Sequence, residues 1–212
     1  MKTRLFATSL FALFLIQARV SAQSASITRS LSAFDKVAVS GGFDAVILKE
    51  GASESVTIDV NGIDPDKIKT EVKGSTLEIG TKKGVYGNYK ARITVTYKNI
   101  TEIANSGSSD VEAQSVIKAE HFAYAGSGSG DFKGSFDVKK LDIAISGSSD
   151  MTLKGQADKQ EIAISGSGDV NASELKGKEA SVAISGSGDV KLNVSGPVRS
   201  MVSGSGDVSN NN

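Results

Sequence analysis

The chain has 212 residues, enough for one domain or at most two small ones, with 24 basic and 24 acidic residues, one histidine and no cysteine. The missing cysteines exclude disulfides, thiolate zinc sites, iron–sulfur clusters and a cysteine nucleophile; the lone His121 excludes a multi-histidine metal site; and zero net charge gives no global pull toward nucleic acid. Gly and Ser make up 54 residues, which without a period would suggest disorder, but 39% of the chain is hydrophobic and β-branched residues run throughout.

Residues 1–22 read as a signal peptide. Met1–Arg4 is a short basic start, Leu5–Ile16 an apolar run of twelve, and Val20-Ser21-Ala22 places small residues before a cut at Gln23. Twelve residues are too few to span a bilayer, which takes about 20. No cysteine follows for lipid attachment. Cleavage leaves 190 residues with 21 basic and 24 acidic groups, and no second apolar stretch, so the mature chain is expected to be soluble and without a transmembrane segment. An exported chain without disulfides must be held by packing and backbone pairing.

Residues 34–104 read as strands of a less regular kind. Val37–Val46 begins with a β-branched, Ala, β-branched triplet and a Ser-Gly turn. Ser55–Val60 alternates, Ile68–Ile79 reads as a hairpin turning at Lys73–Ser75, and Ala91–Tyr97 alternates with Arg92, Thr94 and Thr96 on one face. Gly84–Tyr89 is the most loop-like stretch. Ala113–Glu120 is either a short helix or, more simply, part of another strand-bearing coil.

Residues 105–208 carry six copies of one pentapeptide, Ser-Gly-Ser-(Ser/Gly)-Asp, ending at Asp110, Asp131, Asp150, Asp169, Asp189 and Asp207, at spacings of 21, 19, 19, 20 and 18. Ile143-Ala-Ile145, Ile162-Ala-Ile164 and Val182-Ala-Ile184 precede three of them, and an apolar residue follows every Asp. Val37–Val46 looks like a seventh, diverged copy, 66 residues or roughly three periods upstream when counted from Asp44 to Asp110. A fixed period with matched flanks marks a repeat architecture. A unit of about 19 residues cannot bury its own apolar face, but stacked units can. The pattern therefore predicts an all-β solenoid whose Ser-Gly corners let short strands turn and stack at about 4.8 Å. The alternative is an antiparallel β-sandwich or prism with the same strand spacing. Residues 23–212 form a single domain in this reading, with 209–212 as a tail.

Phe34–Leu48, Leu77-Glu-Ile79 and the serial Ser-Gly-Ser-Gly-Asp-Val together resemble the family described as putative auto-transporter adhesin, head GIN domain. The resemblance covers about Phe34 to Val208. It implies a right-handed, single-stranded β-helix, export in Bacteroidetes and no established activity, hence no catalytic residues to carry over. The chain has no strands of a C-terminal membrane barrel, so self-transport is not expected.

The resemblance and the repeat geometry point to an envelope protein that binds a glycan or a protein partner on a repetitive ladder surface, in the periplasm, at the outer-membrane surface or outside the cell. A polysaccharide lyase or hydrolase is the enzymatic alternative, and a ligand-free scaffold the third. No catalytic residue and no cofactor are assigned. Stacked at about 4.8 Å, the six aspartates would repel their neighbours by about 1 kcal/mol in water and about 3–4 at an effective dielectric of about 20. Either Ser hydroxyls and turn N–H groups satisfy the carboxylates, or a cation, calcium above all, bridges them at Asp110, Asp131, Asp150, Asp169, Asp189 and Asp207. Tyr86 and Tyr89 are the expected exposed ligand contacts. His121 reads as a surface or strand-packed residue. Phe122, Tyr124, Phe132 and Phe136 read as an enlarged core in one coil. Lys139, Lys140, Lys154, Lys159, Lys176 and Lys178 read as solvating residues in the connections.

Overall fold

The computed structural model describes residues 24–85 and 88–212. The proposed signal peptide and Tyr86 lie outside these residues. Among the described residues, seventeen strands form one continuous sheet wound into a solenoid. They are β1 (Ser24–Ser30), β2 (Lys36–Val39), β3 (Ala45–Glu50), β4 (Ser55–Asn61), β5 (Ile68–Lys73), β6 (Thr76–Thr81), β7 (Lys90–Tyr97), β8 (Glu102–Asn105) and β9 (Val111–Ala113). There follow β10 (Ile117–Gly126), β11 (Phe132–Gly147), β12 (Met151–Gly166), β13 (Val170–Gly177), β14 (Glu179–Gly186), β15 (Val190–Val194), β16 (Val198–Gly204) and β17 (Val208–Asn210). Among the described residues the only helical element is the 3-10 turn Pro65–Lys67. The sandwich and prism are not adopted, and Ala113–Glu120 holds strand rather than helix.

From residue 102 onward successive coils stack in parallel, with like residues opposite one another: Ile143↔Ile162, Ala144↔Ala163, Ile145↔Ile164 and Ser146↔Ser165. Inward and outward residues alternate as a strand demands. Along β11 the alternation slips at Lys139–Lys140, where the coil bends. The other bend is the pentapeptide. Gly107, Gly128, Gly147, Gly166, Gly186 and Gly204 stack there, and a Cβ on each would stand 2.0–2.2 Å from the carbonyl oxygen of the glycine one coil back. Four of them also adopt φ between +136° and +146°. The repeated glycine is thus required by contact between coils as well as by the turn.

The N-terminal part does not stack in sequence order. The coil of β2 and β3 lies between the coil of β6 and β7 and the coil of β8 and β9. The diverged copy at Val37–Val46 is therefore the immediate neighbour of the 106–110 corner, not three periods away. The 51–97 segment runs out to the far side and builds the end of the stack there. The corner between β2 and β3 carries one residue more than the 105–111 corner beside it, since Val39 pairs with Asn105 while Val46 pairs with Val111. The buried Ser109 hydroxyl takes up the irregularity, accepting from Phe43 N–H at 2.8 Å and donating to the Gly41 carbonyl at 3.1 Å. Antiparallel strands close this end: β4 on β7, β1 on β4, and β5 on β6. Arg29 of β1 ties the closure together, donating to the Ile68 carbonyl and Thr70 Oγ1 at 2.8 Å, the Pro65 carbonyl at 3.0 Å and Asp66 Oδ1 at 3.1 Å.

One continuous hydrophobic core runs inside the stack. Ile, Val and Leu side chains fill most coils. In the coil after β9, Phe122, Tyr124, Phe132 and Phe136 do so, with ring centroids 4.7–6.1 Å apart. Tyr124 occupies space that a side chain at Gly126 would need. Burial pushes its hydroxyl up to about 12; the Asn105 amide pulls the other way, but neither the hydroxyl nor the amide oxygen finds a hydrogen bond of good geometry.

Candidate functional site

The side of the solenoid formed by β2, β8, β10, β11, β12, β14 and β16 turns a flat outer surface to solvent. Its middle row is an alanine from each coil, four of them the centre of a β-branched, Ala, β-branched triplet. Ala38, Ala104, Ala125, Ala144, Ala163 and Ala183 stand opposite one another from coil to coil, and Met201 ends the row. Beside it runs the first serine of each pentapeptide, Ser106, Ser127, Ser146, Ser165, Ser185 and Ser203, all exposed. These two rows line a shallow groove of about 620 Å³ spanning six coils. Small side chains on alternate positions leave the strand ridges low, which is why the surface is flat rather than studded.

On the other flank of the alanine row lies an ion-pair ladder. Lys140 bridges Asp142 at 3.0 Å and Glu161 at 2.9 Å, and Lys159 binds Glu161 at 2.9 Å and Glu179 at 3.8 Å. His121 Nε2 sits 2.8 Å from Asp142 Oδ2 and is about half exposed, so it belongs to this rail. The two lysines beside Glu161 hold its carboxyl down to about 2. Lys139 pairs with Glu120, Lys154 with Glu174 and Lys178 with Asp158. The lysines thus lie mostly on strands and pair across coils, rather than solvating loose connections; Lys176 is on β13.

The aspartate column forms at the corners, and its carboxylates accept hydrogen bonds across coils instead of within local turns. Asp110 Oδ1 accepts from Asp131 N–H at 3.1 Å, and the same bond recurs from Asp150 to Asp131, Asp169 to Asp150, Asp189 to Asp169 and Asp207 to Asp189, at 2.8–3.1 Å. In return the N–H after each Asp donates to the next aspartate's carbonyl, as Val170 does to Asp189 at 2.8 Å. Five of the six carboxylates, all but that of Asp207, thereby gain a backbone donor that offsets part of the repulsion along the column. No serine hydroxyl is among these donors. Among the described residues, no group of three or more His, Asp or Glu side chains is arranged to hold a metal ion. Tyr89 is half-buried against the core, close to Gly62, and so offers only part of its ring.

Sequence reasoning placed the corners and their acids but passed over the alanine row. The signal was present: each alanine sits between two inward-facing residues, β-branched in four of the six coils, which fixes it on the outside.

The family model for "putative auto-transporter adhesin, head GIN domain" matches residues 33–212. No curated protein matches the chain. Among solved structures, a putative adhesin from Bacteroides fragilis NCTC 9343 is similar at a TM-score of 0.80 and 20% identity, covering 90% of this chain and 98% of that one. A putative adhesin from Parabacteroides merdae ATCC 43184 is similar at 0.70 and 17%, covering 90% and 97%. A protein from Parabacteroides distasonis ATCC 8503 described as a putative lipid binding protein is similar at 0.66 and 16%, covering 89% and 97%. At these identities the likeness establishes the fold. Among the described residues no helix is long and apolar enough to cross a membrane.

Proposed function

We propose, for a chain that belongs to the auto-transporter adhesin head GIN domain family, an exported, non-enzymatic, adhesin-like role in which the alanine–serine face binds a protein partner at the cell envelope. The observation that carries this is the alanine row itself. Alanine is depleted in strands, and an exposed strand position ordinarily favours Thr, Tyr, Val or a charged residue. Folding gives no reason to place alanine there in six successive coils. A flat apolar surface of this extent, bordered by charge, has the character of a protein contact. None of the residues lining the groove is aromatic, so a stacking platform for sugar rings is not what the face offers.

Catalysis fits poorly. On the rail beside the face, Asp142 and Glu161 stand opposite one another on adjacent coils. They share Lys140, and Glu161 is held at about 2. A general acid needs a raised value near the working pH.

The test uses labelled mature protein on intact bacterial cells. Binding should disappear after protease treatment of the cells and survive periodate. Ala144→Arg with Ala163→Arg should abolish it, while Lys133→Ala, on another side of the solenoid, should leave it intact. Binding lost to periodate would favour a glycan, and binding indifferent to the two arginines would remove the face from consideration.

A further inference from the structure

The two ends of the solenoid differ. The N-terminal end is closed by antiparallel strands and is edged with charge: Lys69 and Lys73 of β5 both bind Glu78, and Arg29 binds Asp66. Such an edge resists pairing with another strand. At the other end, β16 and β17 have a neighbouring coil on one side only. Three large hydrophobic side chains are well exposed among the described residues, and two of them, Met201 at 75% and Val202 at 41%, are adjacent on β16. Val202 stands opposite Ile184, which is 3% exposed. It is a core position without a coil above it.

The backbone tells the same story. In the preceding coils the glycine carbonyl takes a serine N–H from the next coil, as Gly186 does from Ser205 at 2.9 Å, and the N–H after each Asp donates onward, as Val190 does to Asp207 at 2.8 Å. Gly204, Val208 and the Asp207 carboxylate hold the corresponding places in the last coil, and no further coil meets them among the described residues. Asn210 ties the terminal strand back onto its own stack, accepting from Val194 N–H at 2.9 Å and donating to the Val194 carbonyl at 2.8 Å. The edge of β16 is left open.

We propose that two copies of this chain join end to end through their last coils, about a two-fold axis, with β16 of each running antiparallel to β16 of the other. Residues 195–212 carry one cation, Arg199, and one anion, Asp207. Two such ends therefore meet without net repulsion, whereas the lysine-edged N-terminal end is a poor match for an apolar one. Antiparallel pairing of a strand with its own copy is self-complementary, as a two-fold interface requires. It supplies main-chain partners and covers Val202 together. Met201, unbranched and adaptable, packs at the rim. Because β16 is the last strand of the flat face, the join would also run the alanine rows of the two copies into one longer surface.

Sedimentation velocity of the mature protein over a concentration series tests this. The parent should run with the mass of two chains, and Met201→Lys with Val202→Asp should weaken association at least tenfold, yielding one-chain mass where the parent is paired. Both side chains are exposed, so circular dichroism should be unchanged. Lys69→Ala at the opposite end should not alter the mass. Amide exchange along β16 should slow as concentration rises in the parent and not in the double variant. A single-chain mass for the parent up to about 1 mM, or a dimer that the double variant leaves intact, would overturn the proposal.

Discussion

Gly166→Ala should be among the most damaging small substitutions in the chain. The added Cβ would lie 2.1 Å from the Gly147 carbonyl oxygen and 3.0 Å from its carbonyl carbon and nitrogen, all backbone atoms that cannot swing aside. The residue also holds φ at +144°, which an L side chain rarely adopts. Backbone strain of this kind costs about 1–3 kcal/mol, and forcing a methyl into filled space costs about 1–3 more. We expect a total of about 2–6 kcal/mol, which in a chain of this size lowers Tm by roughly 4–24 °C. Two other glycines isolate the terms. Gly74 has φ at +60° and open space around its Cβ, so Gly74→Ala should cost about 1–2 kcal/mol from conformation alone. Gly42 has neither constraint, and Gly42→Ala should be neutral or gain about 0.4–1 kcal/mol by restricting the unfolded chain. Urea unfolding followed by far-ultraviolet circular dichroism orders the three. Coils contact only their neighbours, so amide exchange across 147–186 should show the damage concentrated there. If Gly166→Ala falls within about 1 kcal/mol of Gly42→Ala, the claim that the glycine column sets the stacking of the coils is wrong.

At the aspartate column, Asp169→Ala removes the acceptor of Asp189 N–H and should cost about 1 kcal/mol. Asp169→Asn keeps an acceptor oxygen and removes a like charge, so it should be neutral at high salt and stabilising at low salt. With the carboxylates from Asp110 to Asp189 already engaged by backbone donors, Tm should be the same with calcium and with chelator; a rise in calcium would mean that the column binds the cation. Burial pushes the hydroxyls of Tyr97 and Tyr124 up to about 12 from an ordinary value of 10. A value raised by folding gives stability that is intact below pH 10 and lost as pH climbs toward 12. With Tyr86→Phe and Tyr89→Phe in the background, tyrosinate absorbance and circular dichroism should therefore change together in that window, and ionisation of Tyr97 and Tyr124 near pH 10 in a folded chain would contradict the burial.

The solenoid was legible because its rules are local and repeated. A β-branched, Ala, β-branched triplet followed by Ser-Gly-Ser-Gly-Asp specifies strand, face and corner at once, and five spacings between 18 and 21 specify stacking. The order of the N-terminal coils was not legible. Stacking position is a nearest-neighbour property in space, and Val37–Val46 bears the signature of a coil without any signature of which coils flank it. Its proximity to Ser106–Asp110 is set by Phe43 and Ser109, whose buried hydrogen bond spans 66 residues of sequence. The aspartates were found, but not their donors, because the bond leads to the same residue one coil on. Lysine roles were misjudged for a similar reason: a charge in sequence looks solvated until register brings Glu161 beside Lys140.

The contrast between two outward rows on one solenoid bears most directly on function. Glu112, Lys133, Thr152, Asn171, Lys191 and Ser209 stack opposite one another on the side that follows the corner. They are polar and varied, as solvent-facing strand positions should be. Ala104, Ala125, Ala144, Ala163 and Ala183 hold equivalent outward positions on the side that precedes the corner, yet show no variation until Met201. Both rows are outward positions on stacked parallel strands, so stacking alone would let both drift alike. The first row has been filled as solvent permits. The second has kept a residue that contributes little to strand formation and exposes methyl groups to water. Its constraint comes from outside the coil, and it ends where the apolar Met201 and the open edge of β16 begin, so the face and the end of the stack are best treated as one continuous surface in any search for partners.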